Sequence, residues 1–194
     1  MIIGKWIYRD ALNTPAFLDL LPDIGGMMGL DVGCGDGYNT RLFAGRSARM
    51  YAVDIAPTFL RAARAAGRRQ PVGIRYVQAS GQELPFASGR FDFATAVMSL
   101  MDMPCHETAL QECHRVLRPR GFLQFWITHP CFSPPHRRLV RSSHGRPSAL
   151  EVARYFDRVD GEIDRWISPP HRPPSRQVFE NSRCRDSTGL LPNG

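Results

Sequence analysis

The chain has 194 residues, of which 43% are hydrophobic, and a formal net charge of +7. This length fits one domain with a substantial core. No run of 18 apolar residues occurs, which excludes a transmembrane helix from the sequence prediction. The first residues lack the charged and apolar regions of a signal peptide. We therefore expect a cytoplasmic protein with no membrane partner.

The positive charge raises the question of nucleic-acid binding. Nearly all of the basic residues are arginines, which indicates a GC-rich coding sequence as much as a binding function. The densest group, Arg137, Arg138 and Arg141, has no interleaved aromatic residues that would form a stacking surface for bases. The sequence therefore argues against a nucleic-acid partner.

The cysteines show no C-x-x-C pair and no metal-ligand spacing. There are five, at positions 34, 105, 113, 131 and 184. This pattern predicts no metal site and favours reduced thiols, as in a cytosolic protein.

Helices and strands are predicted to alternate along most of the chain. The predicted elements are a helix over 14–21, a strand over 28–32, a helix starting over 40–44, a strand over 48–54, a helix over 57–66, strands over 74–78 and 91–98, a helix over 106–117 and a strand over 121–128. Such alternation predicts a parallel sheet with right-handed crossovers. Ligands of such sheets bind at the carboxyl ends of the strands.

A glycine-rich turn joins the first predicted strand to the next helix. Asp31 precedes three glycines at alternating positions, Gly33, Gly35 and Gly37. Glycine allows backbone angles closed to other residues and lets a ligand lie against the main chain. About 20 residues later Asp54 ends the next strand, and in nucleotide-binding sheets such an acid contacts a ribose. The sequence therefore predicts a nucleotide site.

The dinucleotide fingerprint does not fit this turn. G-x-G-x-x-G requires a glycine at position 38, where this chain has Tyr38. Residues 31–37 instead read acid-x-G-x-G-x-G. Three further motifs follow: Val53-Asp54, the pair of stretches over 82–86 and 89–92, and residues 115–121. Together, over about residues 13–130, the four motifs resemble class I S-adenosylmethionine-dependent methyltransferases, and most of all the small-molecule group that includes quinone-pathway enzymes.

The resemblance implies a Rossmann-like α/β fold with a parallel sheet of about five strands and flanking helices. It assigns residues 1–130 to the S-adenosylmethionine-binding methyltransferase core. The antiparallel strands that usually complete the family's sheet are expected to be missing. Residues 131–194 are expected to be an irregular, Pro/Arg-rich segment, truncated or altered at its end, with one helix near residues 148–156. We also expect the uncovered fifth strand to favour a homodimer through its edge.

The resemblance also implies a set of cofactor contacts. The three glycines would approach the methionine part of the cofactor, with Asp31 near its ammonium. Asp54 would accept hydrogen bonds from the ribose hydroxyls, and Ile55 would pack on the adenine. Ser80 and Gly81 stand where the family usually has an acid that accepts from the adenine amine. The remaining assignments are Met98, beneath the methionine part or simply in the core, and Tyr38 and Asn39, beside the cofactor carboxylate or simply on the surface.

Candidates for a catalytic base are weaker. His129 follows the fifth strand, while Asp102 and His106 lie after the fourth. Each has an ordinary structural interpretation as well, since His129 can bond nearby backbone and His106 can cap a helix. The function that the resemblance implies is methyl transfer from S-adenosylmethionine to a small molecule. The alternatives are an RNA or protein methyltransferase and a non-catalytic relative that only binds the cofactor.

Overall fold

The computed structural model describes residues 9–69, 72–128, 136–153, 163–165 and 176–178. Helices and strands alternate through its first 128 residues. They are α1 (Thr14–Asp19), β1 (Met28–Val32), α2 (Tyr38–Gly45), β2 (Arg49–Asp54), α3 (Pro57–Arg69), β3 (Arg75–Gln78), β4 (Phe91–Val97), α4 (His106–Val116) and β5 (Leu117–Trp126). A π-helical turn over Arg9–Asn13 precedes α1, and a 3₁₀ turn over Leu100–Asp102 follows β4.

The five strands form one parallel sheet in the order β3-β2-β1-β4-β5. The predicted Rossmann-like fold is therefore confirmed. The chain builds outward from β1 to β3 and then returns to place β4 on the other side of β1. The crevice at the carboxyl ends of β1 and β4 is the topological switch point, where open α/β sheets bind their ligands.

The two faces of the sheet are covered by different helices. On one face Leu30 and Val32 of β1 pack with Cys113 of α4. On the other face α1 and α2 bury Phe17 and Phe43 against the sheet. Because β4 is buried on both faces, its residues are nearly all apolar. This packing also holds the ends of the strands in place.

The fifth strand begins at Leu117, four residues before the predicted start at Gly121. Leu117 pairs with Phe91, and the register then shifts before the next pair, Phe93 with Phe122. The prediction missed this because an Arg-Pro-Arg-Gly sequence is typical of a loop, whereas here it forms an irregularity within the strand.

Regular strands also follow β5, so the expected absence of antiparallel strands is wrong. β6 (Arg137–Arg141) pairs with β7 (Pro147–Val152), and β8 (Ile163–Arg165) pairs with β9 (Arg176–Val178). Among the described residues, neither pair joins the five-stranded sheet. The helix expected near residues 148–156 is wrong where β7 runs; the rest of that range, beyond residue 153, lies outside the described residues.

Three further observations concern the sequence expectations. Cys105 is disulfide-bonded, which contradicts the expectation of reduced thiols throughout. In the described part of the chain, no helix combines the length and apolarity needed to cross a membrane. Within those same ranges, no group of three or more His, Cys, Asp or Glu side chains is arranged to hold a metal ion.

Candidate active site

A cavity of about 1060 Å³ opens at the carboxyl ends of the strands. Its walls come from the glycine turn after β1, the end of β2, the loop after β3 and the 3₁₀ turn after β4. The π-helical turn and α1 close a further side through Arg9, Asn13 and Phe17. The cavity thus lies at the switch point that the strand order defines.

The glycine turn presents bare backbone to this cavity. Gly33, Gly35 and Gly37 all have positive φ angles, of 73°, 54° and 72°. At Gly37 a side chain would also be excluded by contact, because a Cβ there would lie 2.6 Å from the Tyr76 hydroxyl. At Gly35 a Cβ would meet nothing within 4 Å, so this backbone faces open space where a ligand can lie directly on it.

Asp54 joins the end of β2 to the glycine turn. One carboxylate oxygen accepts from the backbone N–H of Gly35 at 2.8 Å, and the other accepts from Ala56 at 2.9 Å. The side chain is only 9% exposed, yet it lines the cavity. Each oxygen keeps further acceptor capacity, because a carboxylate offers about four lone-pair sites. Asp54 is therefore held in position to accept hydrogen bonds from a ligand.

Asp31 is placed differently from the contact that the resemblance implies. Its carboxylate is buried and accepts from the Thr40 hydroxyl at 2.5 Å and the Thr95 hydroxyl at 3.0 Å. Burial raises the pKa of Asp31 to about 6. Asp31 does not occur among the described residues that line the cavity. In this structure its carboxylate ties β1 to α2 and β4 beneath the glycine turn.

One wall of the cavity carries exposed apolar side chains. Ile55 is 69% exposed and Phe59 is 52% exposed, and both line the cavity. Ser80 stands opposite on the loop after β3, where its hydroxyl accepts from the backbone N–H of Gln82 at 3.1 Å. Gly81 lies beside it in the same wall. An apolar surface with a polar edge matches the shape and chemistry of an adenine ring.

The 3₁₀ turn after β4 packs against two glycines of the cavity wall, Gly33 and Gly81. A Cβ on Gly33 would collide with the Ser99 side chain, and a Cβ on Gly81 would lie 2.9 Å from the Met103 side chain. The Ser99 hydroxyl also donates to the carbonyl of Val32 at 2.7 Å. The turn is thus packed against the glycine turn and the loop after β3, and Met98, with a φ of 55°, leads into it.

The three candidate bases differ in their position. Asp102, in the 3₁₀ turn, lines the cavity. The His106 side chain is 55% exposed, lies 3.2 Å from the Glu107 carboxylate and is absent from the described cavity lining. His129 lies outside the described residues. Asp102 is therefore the candidate that the described structure brings to the cavity.

Sequence reasoning missed two groups of residues. Thr40 and Thr95, which hold Asp31, lie 9 and 64 residues from it along the chain. Arg9 and Asn13 precede every predicted element, yet both line the cavity. For Thr40 and Thr95, the one available signal was the hydroxyl of Thr95 on an otherwise apolar strand. No sequence pattern marked Arg9 and Asn13.

A parallel sheet in this order, with a glycine turn and an acid at adjacent strand ends, defines a Rossmann-like domain that binds a nucleotide-containing cofactor. Residues 30–125 match the protein family described as "Methyltransferase domain". These residues form a class I S-adenosylmethionine-dependent methyltransferase domain, and the cofactor that this family and fold imply is S-adenosylmethionine.

Individual relatives agree with this family. The chain is 32% identical over 120 residues to a malonyl-[acyl-carrier protein] O-methyltransferase of Enterobacter lignolyticus, covering 62% of this chain and 46% of that protein. It is 34% identical over 117 residues to a ubiquinone biosynthesis O-methyltransferase of Xanthomonas oryzae, covering 58% and 48%. The chain therefore spans about half the length of these curated relatives.

A solved structure shows the same fold. An S-adenosylmethionine-dependent methyltransferase from Mesorhizobium loti superposes with a TM-score of 0.64 at 28% identity, covering 73% of this chain and 64% of that one. The residues of the cavity fit the implied cofactor on their own chemistry. Gly35 has open backbone, Asp54 has a fixed carboxylate with free acceptor capacity, and Ile55 has an exposed apolar side chain, which are groups that a nucleoside with an amino-acid chain would need.

Proposed function

We propose that the protein transfers a methyl group from S-adenosylmethionine to a small-molecule acceptor. The observation that carries this proposal is a cavity with two sets of lining residues. We assign the glycine turn, Asp54 and Ile55 to the cofactor (the cofactor wall) and Phe17, Trp126 and Asp102 to the acceptor. The cavity volume of about 1060 Å³ is slightly above the range of ordinary ligand cavities, about 300 to 1,000 Å³. A cofactor on the glycine turn leaves space on the side of the 3₁₀ turn.

The cofactor supplies an activated methyl group, since its sulfonium leaves as a neutral thioether. The chain's own residues have to align the acceptor and exclude water. Asp54 and the glycine turn would fix the ribose and the methionine part. Phe17 and Trp126 line the cavity and contact each other as aromatic rings, with centroids 6.5 Å apart. They would cover the acceptor with apolar surface.

Asp102 is the residue that we propose for proton removal. An acceptor hydroxyl or acidic carbon must lose a proton, and a carboxylate within reach takes it. Asp102 lies on the turn that is seated against Gly33 and Gly81, so its position is fixed relative to the cofactor wall. A turn between a cofactor site and the open cavity is a suitable place for such a group.

The proposal is tested by titration calorimetry with S-adenosylmethionine, followed by an assay of S-adenosylhomocysteine formation. The assay uses a fractionated metabolite extract first, then total RNA and protein. We expect binding, and turnover with a small-molecule fraction. Turnover only with RNA or protein would instead identify a macromolecular methyltransferase. Binding without turnover on any fraction would identify a non-catalytic relative.

For the cellular compartment we propose the cytoplasm, on the sequence features alone. The Cys105 disulfide is the opposing observation, because disulfides persist mainly in oxidising compartments. Cell fractionation combined with thiol labelling of Cys105 tests this. Recovery of the protein in a membrane or exported fraction with Cys105 protected would overturn the proposal.

A further inference from the structure

One cation lies in the wall of the cavity. Among the described residues that line it, Arg9 alone has a positively charged side chain, whereas Asp36, Asp54 and Asp102 are acidic. An arginine in a ligand cavity is a strong donor to a carboxylate, because its planar fork matches both oxygens. The position of Arg9 in the cavity decides which part of a ligand its guanidinium can contact.

The contacts of Arg9 place it at the glycine-turn end. Its guanidinium carbon lies 3.7 Å from the centroid of the Tyr38 ring, a stacked cation–π arrangement. Tyr38 is the first residue of α2 and directly follows Gly37. Its backbone N–H donates to the Asp36 carboxylate at 3.1 Å. Arg9 is thus fixed by an aromatic platform that belongs to the same turn as the glycines.

The cofactor has to present its amino-acid end to this region. In the proposed function, Asp54 holds the ribose, and Ile55 and Ser80, which also line the cavity, hold the base beyond it. The methionine part then extends from the ribose along the glycine turn. It ends in an ammonium and a carboxylate, which need an anionic and a cationic partner. Asp36 and Arg9 provide these two charges at this end.

We infer that Arg9 binds the carboxylate of the methionine part of S-adenosylmethionine, with the Tyr38 ring holding the guanidinium in place. This inference rests on the proposed function and assigns one further residue to the same site. Arg9 here is a cofactor-binding residue that selects for the intact amino-acid end.

Arg9 also forms an ion pair with Asp10. The Arg9 Nε donates to the Asp10 carboxylate at 2.7 Å, and the guanidinium lowers the pKa of Asp10 through this bond. The Asp10 side chain is 47% exposed, and ion pairs of exposed groups contribute little to stability. The ligand carboxylate therefore competes with Asp10 for the same guanidinium.

The test compares two ligands, S-adenosylmethionine and its decarboxylated form, by calorimetry on the full chain. Wild-type protein should bind S-adenosylmethionine at least tenfold more tightly than the decarboxylated ligand. Arg9→Gln should reduce this preference to within about threefold, because it removes the group that reads the carboxylate. Arg9→Lys should keep part of the preference, since it keeps the charge and loses the fork.

Two further variants make the result decisive. Arg68→Gln, at an exposed position near the end of α3, is the matched control and should keep the wild-type preference. Asp10→Asn removes the carboxylate that competes for the Arg9 guanidinium. The preference for S-adenosylmethionine over its decarboxylated form should therefore stay the same or increase. A full preference in Arg9→Gln, or a preference lost in Asp10→Asn, would overturn the inference. Failure of wild-type protein to bind S-adenosylmethionine at all would instead overturn the proposed function.

Discussion

The hydroxyl of Thr40 donates a hydrogen bond of 2.5 Å to the buried carboxylate of Asp31. Thr40 lies in the first turn of α2, and Asp31 lies in β1. With Thr95 on the other oxygen, this carboxylate joins one helix and two strands directly below the cofactor wall. The acid of the glycine motif is therefore a buried structural group, and its charge state affects the stability of the fold.

A first prediction follows for Asp31→Asn. Burial raises the pKa of Asp31 to about 6, so the folded protein binds this proton more tightly than the unfolded chain. The contribution of Asp31 to stability is therefore full below about pH 3.8 and is lost as the pH rises through about 6. The loss of stability between low pH and pH 7 amounts to about 3 kcal/mol. The neutral asparagine does not have this dependence.

Urea unfolding at pH 4, 5, 6 and 7 checks this prediction. The free energy of unfolding of Asp31→Asn minus that of the wild type should increase across this range. Asp19→Asn, at an exposed position on α1, is the matched control. A difference that stays flat or decreases with pH would contradict the buried, high-pKa state of Asp31.

A second prediction concerns Asp54→Ala. The change removes a charged acceptor for the ribose hydroxyls and also the acceptor for the Gly35 N–H. Hydrogen bonds to charged groups contribute about 1.5–3 kcal/mol. We expect the affinity for S-adenosylmethionine to fall at least tenfold in calorimetry. Asp23→Ala is the control, because it removes a local contact to Gly25 away from the cavity. Unchanged binding in Asp54→Ala would show that Asp54 does not hold the ribose.

A third prediction concerns Ser80→Asp. The serine hydroxyl already accepts from the Gln82 N–H, and an aspartate can keep this bond with one oxygen while offering the other to the adenine amine. We expect affinity for S-adenosylhomocysteine to be held or increased. Affinity for S-inosylhomocysteine, which lacks the amine, should show no such gain. A marked loss with both ligands would mean that Ser80 does not face the base.

A fourth prediction separates Asp102 from His106. Asp102→Asn should leave the cofactor dissociation constant within twofold of wild type while methyl transfer to a protic acceptor falls by about 100-fold or more. His106→Gln should leave both quantities unchanged, because this side chain is exposed and paired with Glu107. Equal losses in the two variants would remove Asp102 from its proposed role.

A fifth prediction concerns the edge of the sheet. β5 is the last strand in the sheet order of the described residues. Phe125 within the strand is 48% exposed, and Ile127 just after it is 37% exposed. We propose that this edge mediates self-association. Light scattering over a concentration series should show a dimer or larger species, and Phe125→Lys should shift it toward the monomer. A wild-type monomer at high concentration would refute this proposal.

The sequence predicted the parallel sheet and the cofactor wall because both leave local patterns. Gly35 marks backbone that faces open space, Gly37 marks backbone that packs against the Tyr76 ring, and Asp54 ends an apolar run. The partners of Asp31 left no such pattern, because Thr95 is 64 residues away and only the folded sheet brings it near.

The helix expected where β7 runs was wrong for a physical reason. Ala149, Leu150 and Glu151 are good helix formers, so a helix was the local preference. A tight turn between Ser142 and Gly145 instead pairs this stretch with β6, and cross-strand hydrogen bonds override the intrinsic preference. The division of the chain at residue 130 stays a prediction.

The seating of the 3₁₀ turn on Gly33 and Gly81 restricts how the acceptor specificity of this protein can be re-engineered. The Ser99 side chain occupies the space that a Cβ on Gly33 would need, and the Met103 side chain occupies the space that a Cβ on Gly81 would need. Both side chains are therefore packed tightly into the wall of the cavity. A chimera that imports residues 98–104 from a relative must keep small and flexible side chains at these two positions. Asp102 between them has to be kept as well, because it is the residue proposed for proton removal. A library that targets the acceptor would therefore vary Trp126, which lines the cavity outside this turn.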